Sequence, residues 1–209
     1  MLAPSSVQEL YDLTRDAFEL ADKYRNPVMV LADAILGQMM EPILLSREPQ
    51  PVPPPHSWGT RGTRKGERTI VNSLYIKPEE LEAVNQRLLA KYAQMALEDL
   101  RWDDDGAEAE VLFVAFGSSA RICRTAITQL AARGVRAGLF RPITLFPFPS
   151  EPLRQAAARA QRVLVVELNA GQMVEDVRLA LGDSRPIGFF GRTGGVVPTP
   201  EEVVQATLA

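Results

Sequence analysis

Short, continuously apolar runs alternate with helical periodicities over residues 110–209. The runs at 111–116, 135–140, 163–166 and 186–190 have strand length and are apolar almost throughout, the pattern of strands covered on both faces. Between them, Ile122, Cys123, Ala126, Ile127 and Leu130 share one helical face. Leu153, Ala156, Ala157 and Ala160 share a second, in a helix capped by Ser150, and Met173, Val174, Val177 and Leu181 a third. Gly134 and Gly182 stop two of these helices. Thr199-Pro200-Glu201-Glu202 opens a last one, combining a capping box with proline at the first helical position. Alternating strands and helices with short loops predict an α/β domain, a three-layer αβα parallel sheet with right-handed crossovers.

Residues 1–45 carry a different signal. Ser6-Val7-Gln8-Glu9 fits a capping box, and Val7, Leu10, Tyr11, Ala17, Phe18, Ala21 and Tyr24 recur near helical period. Asn26-Pro27 ends that helix. The run 28–31 reads as a strand covered on both faces. One helix and one strand cannot form a core. Either they join the sheet of residues 110–209, or they are the end of a further domain; the reading favours the second.

Between the two lies a linker, residues 46–109. Six prolines fall between Pro42 and Pro55 and predict an extended connector. His56 at its end reads as a surface residue. The stretch 59–66 is basic and glycine-rich; it reads as a flexible loop, with anion binding through residues 59–68 as the sharper alternative. Lys77-Pro78-Glu79-Glu80 opens a second amphipathic helix with Leu81, Val84, Leu88, Tyr92 and Met95 on its buried side. The acidic run at 102–105 reads as a solvated boundary.

Composition narrows the chemistry. The chain has 209 residues, net charge -3, one Cys and one His. One Cys excludes an internal disulfide framework and a zinc or iron–sulfur site ligated by cysteines of this chain alone. A mild acidic balance gives no reason to expect nucleic acid as partner. No segment has the length and apolarity of a membrane span, the first residues lack a signal-peptide pattern, and the cytoplasm is the default compartment. Cys123, on an apolar helix face, reads as a core residue.

In parallel sheets of this kind, ligands and partners meet the carboxyl ends of the strands. That edge gathers Ser118, Ser119, Arg121, Arg141, Glu167, Asn169, Gln172, Arg192 and Thr193. A nucleotide or coenzyme A site is one reading. The first strand ends in Gly-Ser-Ser rather than a dinucleotide fingerprint, so the favoured reading is an interface edge. On it, Arg141 and Glu167 act as buried ion-pair or hydrogen-bond anchors.

Several strings resemble a known family. They include Tyr24-Arg25-Asn26-Pro27-Val28-Met29-Val30-Leu31-Ala32-Asp33, Gly37-Gln38-Met39-Met40-Glu41-Pro42 and Asn72-Ser73-Leu74-Tyr75. Others are Phe140-Arg141-Pro142-Ile143-Thr144-Leu145-Phe146-Pro147, Glu167-Leu168-Asn169-Ala170-Gly171-Gln172-Met173 and Gly191-Arg192-Thr193-Gly194-Gly195. Together they resemble the alpha subunit of the 2-oxoacid:ferredoxin oxidoreductases, C-terminal portion. Asn72-Ser73-Leu74-Tyr75 leans toward the branch acting on 3-methyl-2-oxobutanoate (2-oxoisovalerate), with 2-oxoglutarate and pyruvate enzymes as alternatives.

The resemblance implies a transketolase C-terminal-like domain at 110–209, preceded by the end of a thiamine-enzyme pyrimidine-binding-like domain at 1–45. It implies a coenzyme A-acylating oxidative decarboxylation that reduces ferredoxin. Thiamine diphosphate, Mg2+ and iron–sulfur clusters belong to the assembled enzyme, with a beta subunit and a ferredoxin-like subunit as partners. The segment that would hold the glutamate activating the thiamine ring has no counterpart in 1–45. No catalytic, cofactor-binding or metal residue is therefore carried over to this chain, and none of these cofactors is expected to bind it alone. A scaffold module without catalysis is the reading of another class.

Overall fold

The computed structural model describes residues 1–45, 56, 58–59 and 71–209. The proline run at 46–55 and the basic stretch at 60–68 lie outside the described residues. The chain forms two compact units, Met1–Ile43 with Tyr92–Ala209, and Leu44–Lys91.

The first unit is built on a five-stranded sheet. Its strands are β1 (Trp102–Asp104), β2 (Val111–Val114), β3 (Ala137–Pro142), β4 (Arg162–Glu167) and β5 (Ile187–Gly191), in the order β1-β3-β2-β4-β5. β3, β2, β4 and β5 run parallel. The helices are α4 (Gly117–Ala131), α5 (Ser150–Ala158), α6 (Met173–Leu181) and α7 (Pro200–Leu208). They follow β2, β3, β4 and β5 respectively.

Alternation along the strands divides the core into two layers. Leu112, Val114, Phe140, Val163 and Val165 pack with Leu153, Ala156, Ala157, Met173, Val174 and Val177 of α5 and α6. Val111, Phe113, Leu139, Leu164 and Val166 pack on the other face with Cys123, Ala126, Leu130, Val203 and Val204 of α4 and α7. This double burial is why the central strands read as unbroken apolar runs. The three-layer αβα arrangement is the one expected.

The sheet also reaches further back than residue 110. The acidic run expected as a solvated boundary supplies β1, antiparallel to β3, with Asp103 opposite Arg141 and Asp104 opposite Phe140. Each of its acids meets a distant arginine. Asp103 takes Arg141, Asp104 takes Arg159, and Asp105 lies 3.9 Å from Arg124. Neutralised carboxylates can line a sheet edge where isolated ones would be left in solvent. Gly138 permits the close turn beneath β1, because a Cβ there would lie 2.4 Å from Gly106 Cα.

Helix termini follow local chemistry only in part. The Thr199–Glu202 capping box is complete at α7. The N-cap of α5 is Pro149 without a side-chain bond, so Ser150 lies inside the helix rather than capping it. At the other end of α5, the Arg185 guanidinium donates to the carbonyls of Ala157, Ala158 and Ala160.

Within Met1–Ile43, α1 (Val7–Tyr24) and α2 (Ala34–Gln38) flank an extended segment. Leu2, 2% exposed, bridges Val30 on one side and Thr144 on the other. The strand expected at 28–31 is thus reduced to a single bridge at Val30. It is not covered on both faces, since Met29 and Leu31 stay exposed. The end of α1 is tied down by Lys23, which bridges Glu98 and Asp99, and by Tyr24, whose hydroxyl donates to Asp99. Burial first, then that hydrogen bond, pushes the Tyr24 phenol up to about 12.

In the second unit, Asn72 closes a turn on Leu74, accepting from its N–H at 3.0 Å and donating to its carbonyl at 2.8 Å. His56 stacks on Trp58, ring centroids 4.7 Å apart. Helix α3 (Pro78–Glu98) begins in this unit, with proline and two acids as expected, and its residues from Tyr92 on belong to the first. Leu81 and Met95 do not share a buried side: Leu81 is exposed and Met95 buried.

Candidate functional site

The carboxyl ends of β2, β3, β4 and β5 place the predicted residues along one edge, in two groups. The first is Ser118, Ser119, Arg121 and Arg141. The second is Glu167, Asn169, Gln172, Arg192 and Thr193.

The first group lies against residues 1–41. Helix α4 starts at Gly117, so Ser118 and Ser119 occupy its first turn and are buried. Its N–H groups point to where an anion would sit, since helix N-termini attract negative charge. Asp33 fills that place. Its carboxylate accepts from Ser118 N at 2.8 Å and from Ser118 Oγ at 2.7 Å. It also caps α2, accepting from Leu36 N at 2.9 Å. Gly117 has φ +58°, and a Cβ there would sit 2.9 Å from Asp33 Oδ2. Glycine is therefore needed for both the backbone conformation and the approach of the carboxylate.

Arg141 is 2% exposed and meets two carboxylates. Nη1 and Nη2 donate to the two oxygens of Glu9 at 2.9 and 2.8 Å, while Nε and Nη2 donate to Asp103 at 2.8 and 2.6 Å. A planar fork between two acids is the geometry in which Arg serves better than Lys. Glu9 also accepts from Ser5 N at 2.7 Å, so it is not the reciprocal half of the box with Ser6. Only the Ser6 half forms, with its Oγ accepting from Glu9 N. Arg121 donates to Ser5 O and, at 2.8 Å, to Glu41. Glu41 in turn accepts from Val7 N in the first turn of α1. That N–H, and then Arg121, hold the Glu41 carboxyl below its ordinary range.

In the second group Glu167 is the centre. It is 1% exposed, and its carboxylate accepts from Met173 N and Val174 N, each at 2.9 Å, and from Asn169 Nδ2 at 2.9 Å. It therefore seals the N-terminus of α6, while Gln172 and Thr193 stay exposed at the rim. Burial, and then Glu167 and Glu175 nearby, raise the Asp176 carboxyl. Arg192 lies over Phe190 and pairs with Glu202, the same residue that completes the α7 box.

The functional consequence is electrostatic. The N-termini of α1, α4, α6 and α7 each receive a carboxylate of this chain: Glu41, Asp33, Glu167 and Glu202. An incoming phosphate would have to displace a buried or paired carboxylate. Among the described residues, no three His, Cys, Asp or Glu side chains converge as a metal site. Cys123 is buried, and burial raises its thiol pKa. Among the described residues, this edge therefore offers no open anion site at the starts of α4 and α6 and no ligand cluster for a metal. Asp33, Glu9, Glu41 and Asp103 are the partners that strand-end reasoning missed. The only sequence signal for Asp33 is an N-cap acid directly before Ala34.

Comparison with known proteins agrees over nearly the whole length. Residues 109–203 match the pyruvate:ferredoxin oxidoreductase core domain II family, and residues 1–87 the thiamine diphosphate-binding family of pyruvate flavodoxin/ferredoxin oxidoreductases. A ketoisovalerate oxidoreductase subunit of Methanothermobacter thermautotrophicus is 46% identical, with 93% of this chain and 55% of the relative covered. A 2-oxoglutarate synthase subunit of Methanocaldococcus jannaschii is 31% identical, with 99% and 62% covered. The chain thus spans little more than half the length of these curated relatives. A solved 2-oxoglutarate:ferredoxin oxidoreductase from Magnetococcus marinus, with 2-oxoglutarate, coenzyme A and succinyl-CoA bound, shares the fold. Its TM-score is 0.77 at 21% identity, over 99% of this chain and 41% of that one. The chain belongs to the subunits of the 2-oxoacid:ferredoxin oxidoreductases.

Proposed function

We propose that the chain is a structural subunit of a thiamine diphosphate-dependent, coenzyme A-acylating 2-oxoacid:ferredoxin oxidoreductase. The reaction converts a 2-oxoacid and coenzyme A to acyl-CoA and CO2, and the electrons released reduce ferredoxin. The observation that carries this reading is the 46% identity to a ketoisovalerate oxidoreductase subunit over 93% of the chain. It favours 3-methyl-2-oxobutanoate over 2-oxoglutarate and pyruvate.

The chain's own residues supply organisation rather than chemistry. Arg141, Asp33 and Glu41 lock residues 1–41 to the carboxyl edge, and Glu167 fixes the start of α6. The rim formed by Asn169, Gln172, Arg192 and Thr193 serves as an interface toward the partner subunits. Thiamine diphosphate, Mg2+ and the iron–sulfur clusters are held by a beta subunit and a ferredoxin-like subunit, in the cytoplasm.

The test is co-purification with the products of neighbouring genes, followed by coenzyme A-dependent dye reduction. The three 2-oxoacids are compared side by side. Preference for 3-methyl-2-oxobutanoate supports the reading. An assembly that reduces dye with none of them overturns it.

A further inference from the structure

On the face that carries α4 and α7, the sheet is covered unevenly along its length. Val166 is fully buried, with Phe190 beside it on β5. Leu164, two residues earlier, has Gly188 beside it instead and keeps 8% exposure. Helix α7 contributes the small Ala206 here. Between them lies a cavity of about 290 Å3, whose walls include Val111, Arg162, Leu164, Gly188, Ala206 and Thr207. It sits where β2, β4 and β5 begin, at the end of the sheet opposite the carboxyl edge.

Gly188 opens this space. A Cβ at that position would lie 3.1 Å from Leu164 Cδ1, so any side chain there would enter the cavity. Gly188 is also exposed, which gives the cavity a mouth. Arg162 stands two residues before Leu164 and therefore on the same face. Its Nη2 donates to the carbonyl of Thr207 in the last turn of α7, which holds the guanidinium at the cavity wall. Among the described residues no carboxylate pairs with Arg162, whereas Arg159 meets Asp104 and Arg192 meets Glu202. The guanidinium keeps further N–H donors for a ligand.

We propose that this cavity binds a short aliphatic monocarboxylate, with its chain against Val111, Leu164 and Ala206 and its carboxylate paired with Arg162. The apolar wall selects hydrocarbon, and a single cation at its border selects a single negative charge. A phosphate or a dicarboxylate suits the place less. The neighbouring end of α7 is a helix C-terminus, whose carbonyls repel a second negative charge. The volume, roughly that of ten waters, takes a body of about four to six carbons. The bond from guanidinium to carboxylate is charge-assisted, so so small a ligand is held chiefly by its head.

Amide NMR of the full chain, titrated with 4-methylpentanoate, tests the site. Saturable shifts are expected at Leu164, Gly188 and Ala206. The neutral 4-methylpentanamide should bind about tenfold more weakly or worse, because it lacks the charge. Arg162→Met should bring the acid down to the level of the amide. That change also removes the bond to Thr207, so Gly188→Val supplies a second variant. It fills the mouth of the cavity, leaves Arg162 in place and puts a strand-favouring residue into β5. The saturable shifts should vanish in it while circular dichroism stays unchanged. An acid that gives no saturable shift overturns the proposal. So does an amide that binds as well as the acid, or a Gly188→Val variant that binds like the unaltered chain.

Discussion

Arg141 and Glu9 meet as a two-pronged pair, 2.9 and 2.8 Å, joining the end of β3 to the first turn of α1. The two residues are 132 positions apart, and the arginine is 2% exposed. Removing one member of a buried pair leaves an uncompensated charge and typically costs about 3–5 kcal/mol. Glu9→Ala should therefore destabilise more than an ordinary surface change, softened by the remaining Asp103 partner. Arg141→Met should strand Glu9 and Asp103 and lower the denaturant midpoint further. Arg141→Lys should recover only part of the loss, because lysine lacks the fork. Urea unfolding of the three variants checks the order.

Asp33 serves two helices, so its loss should be felt in both. Asp33→Ala removes the caps of α2 and α4, at about 1 kcal/mol for each cap. Hydrogen exchange should speed up at Leu36 and Ser118 together. Gly117→Ala should mimic part of this, since φ +58° and the 2.9 Å approach both oppose a side chain. A variant in which only one of the two amides responds would contradict the shared cap.

Glu167→Gln keeps the shape of the side chain and removes its charge. The amide has one acceptor oxygen in place of two, so Met173 N and Val174 N cannot both be served as before. One unsatisfied buried group costs about 1–3 kcal/mol. The expected result is a lowered Tm with α6 exchanging first. An unchanged Tm would mean that the cap contributes little.

The pH dependence of residues 1–41 follows from Glu41. Its carboxyl is lowered in the folded chain, so its contribution is fully present above the ordinary glutamate range, near about 4.3. It is lost as pH falls through the lowered folded value. Exchange at Val7, whose N–H Glu41 accepts, should accelerate only in that acid window. Glu41→Gln should remove the step while leaving neutral-pH circular dichroism unchanged.

The central strands were legible because both faces are buried, which leaves unbroken apolar runs in the sequence. β1 was not, because Trp102-Asp103-Asp104 looks solvated until Arg141 and Arg159 arrive from other parts of the chain. Pairings over such distances leave no periodic trace. The same reason hid half of the edge. Arg141 and Glu167 could be found from strand ends, whereas Asp33, Glu9 and Glu41 come from a segment that read as a separate piece. The capping box at Ser6 shows the limit well. The serine half obeys the local rule, and the glutamate half is taken by Arg141.

At this edge the starts of α4 and α6 are filled by the chain's own carboxylates, Asp33 and Glu167. Thermal unfolding of the isolated chain with thiamine diphosphate plus Mg2+, coenzyme A or a nucleotide tests it most directly. A ligand at a hundred times its Kd would add about 2.7 kcal/mol of stability, a clearly visible rise in Tm. The account predicts no rise with any of them; a reproducible rise with one, abolished by changing Ser118 or Arg192, would contradict it.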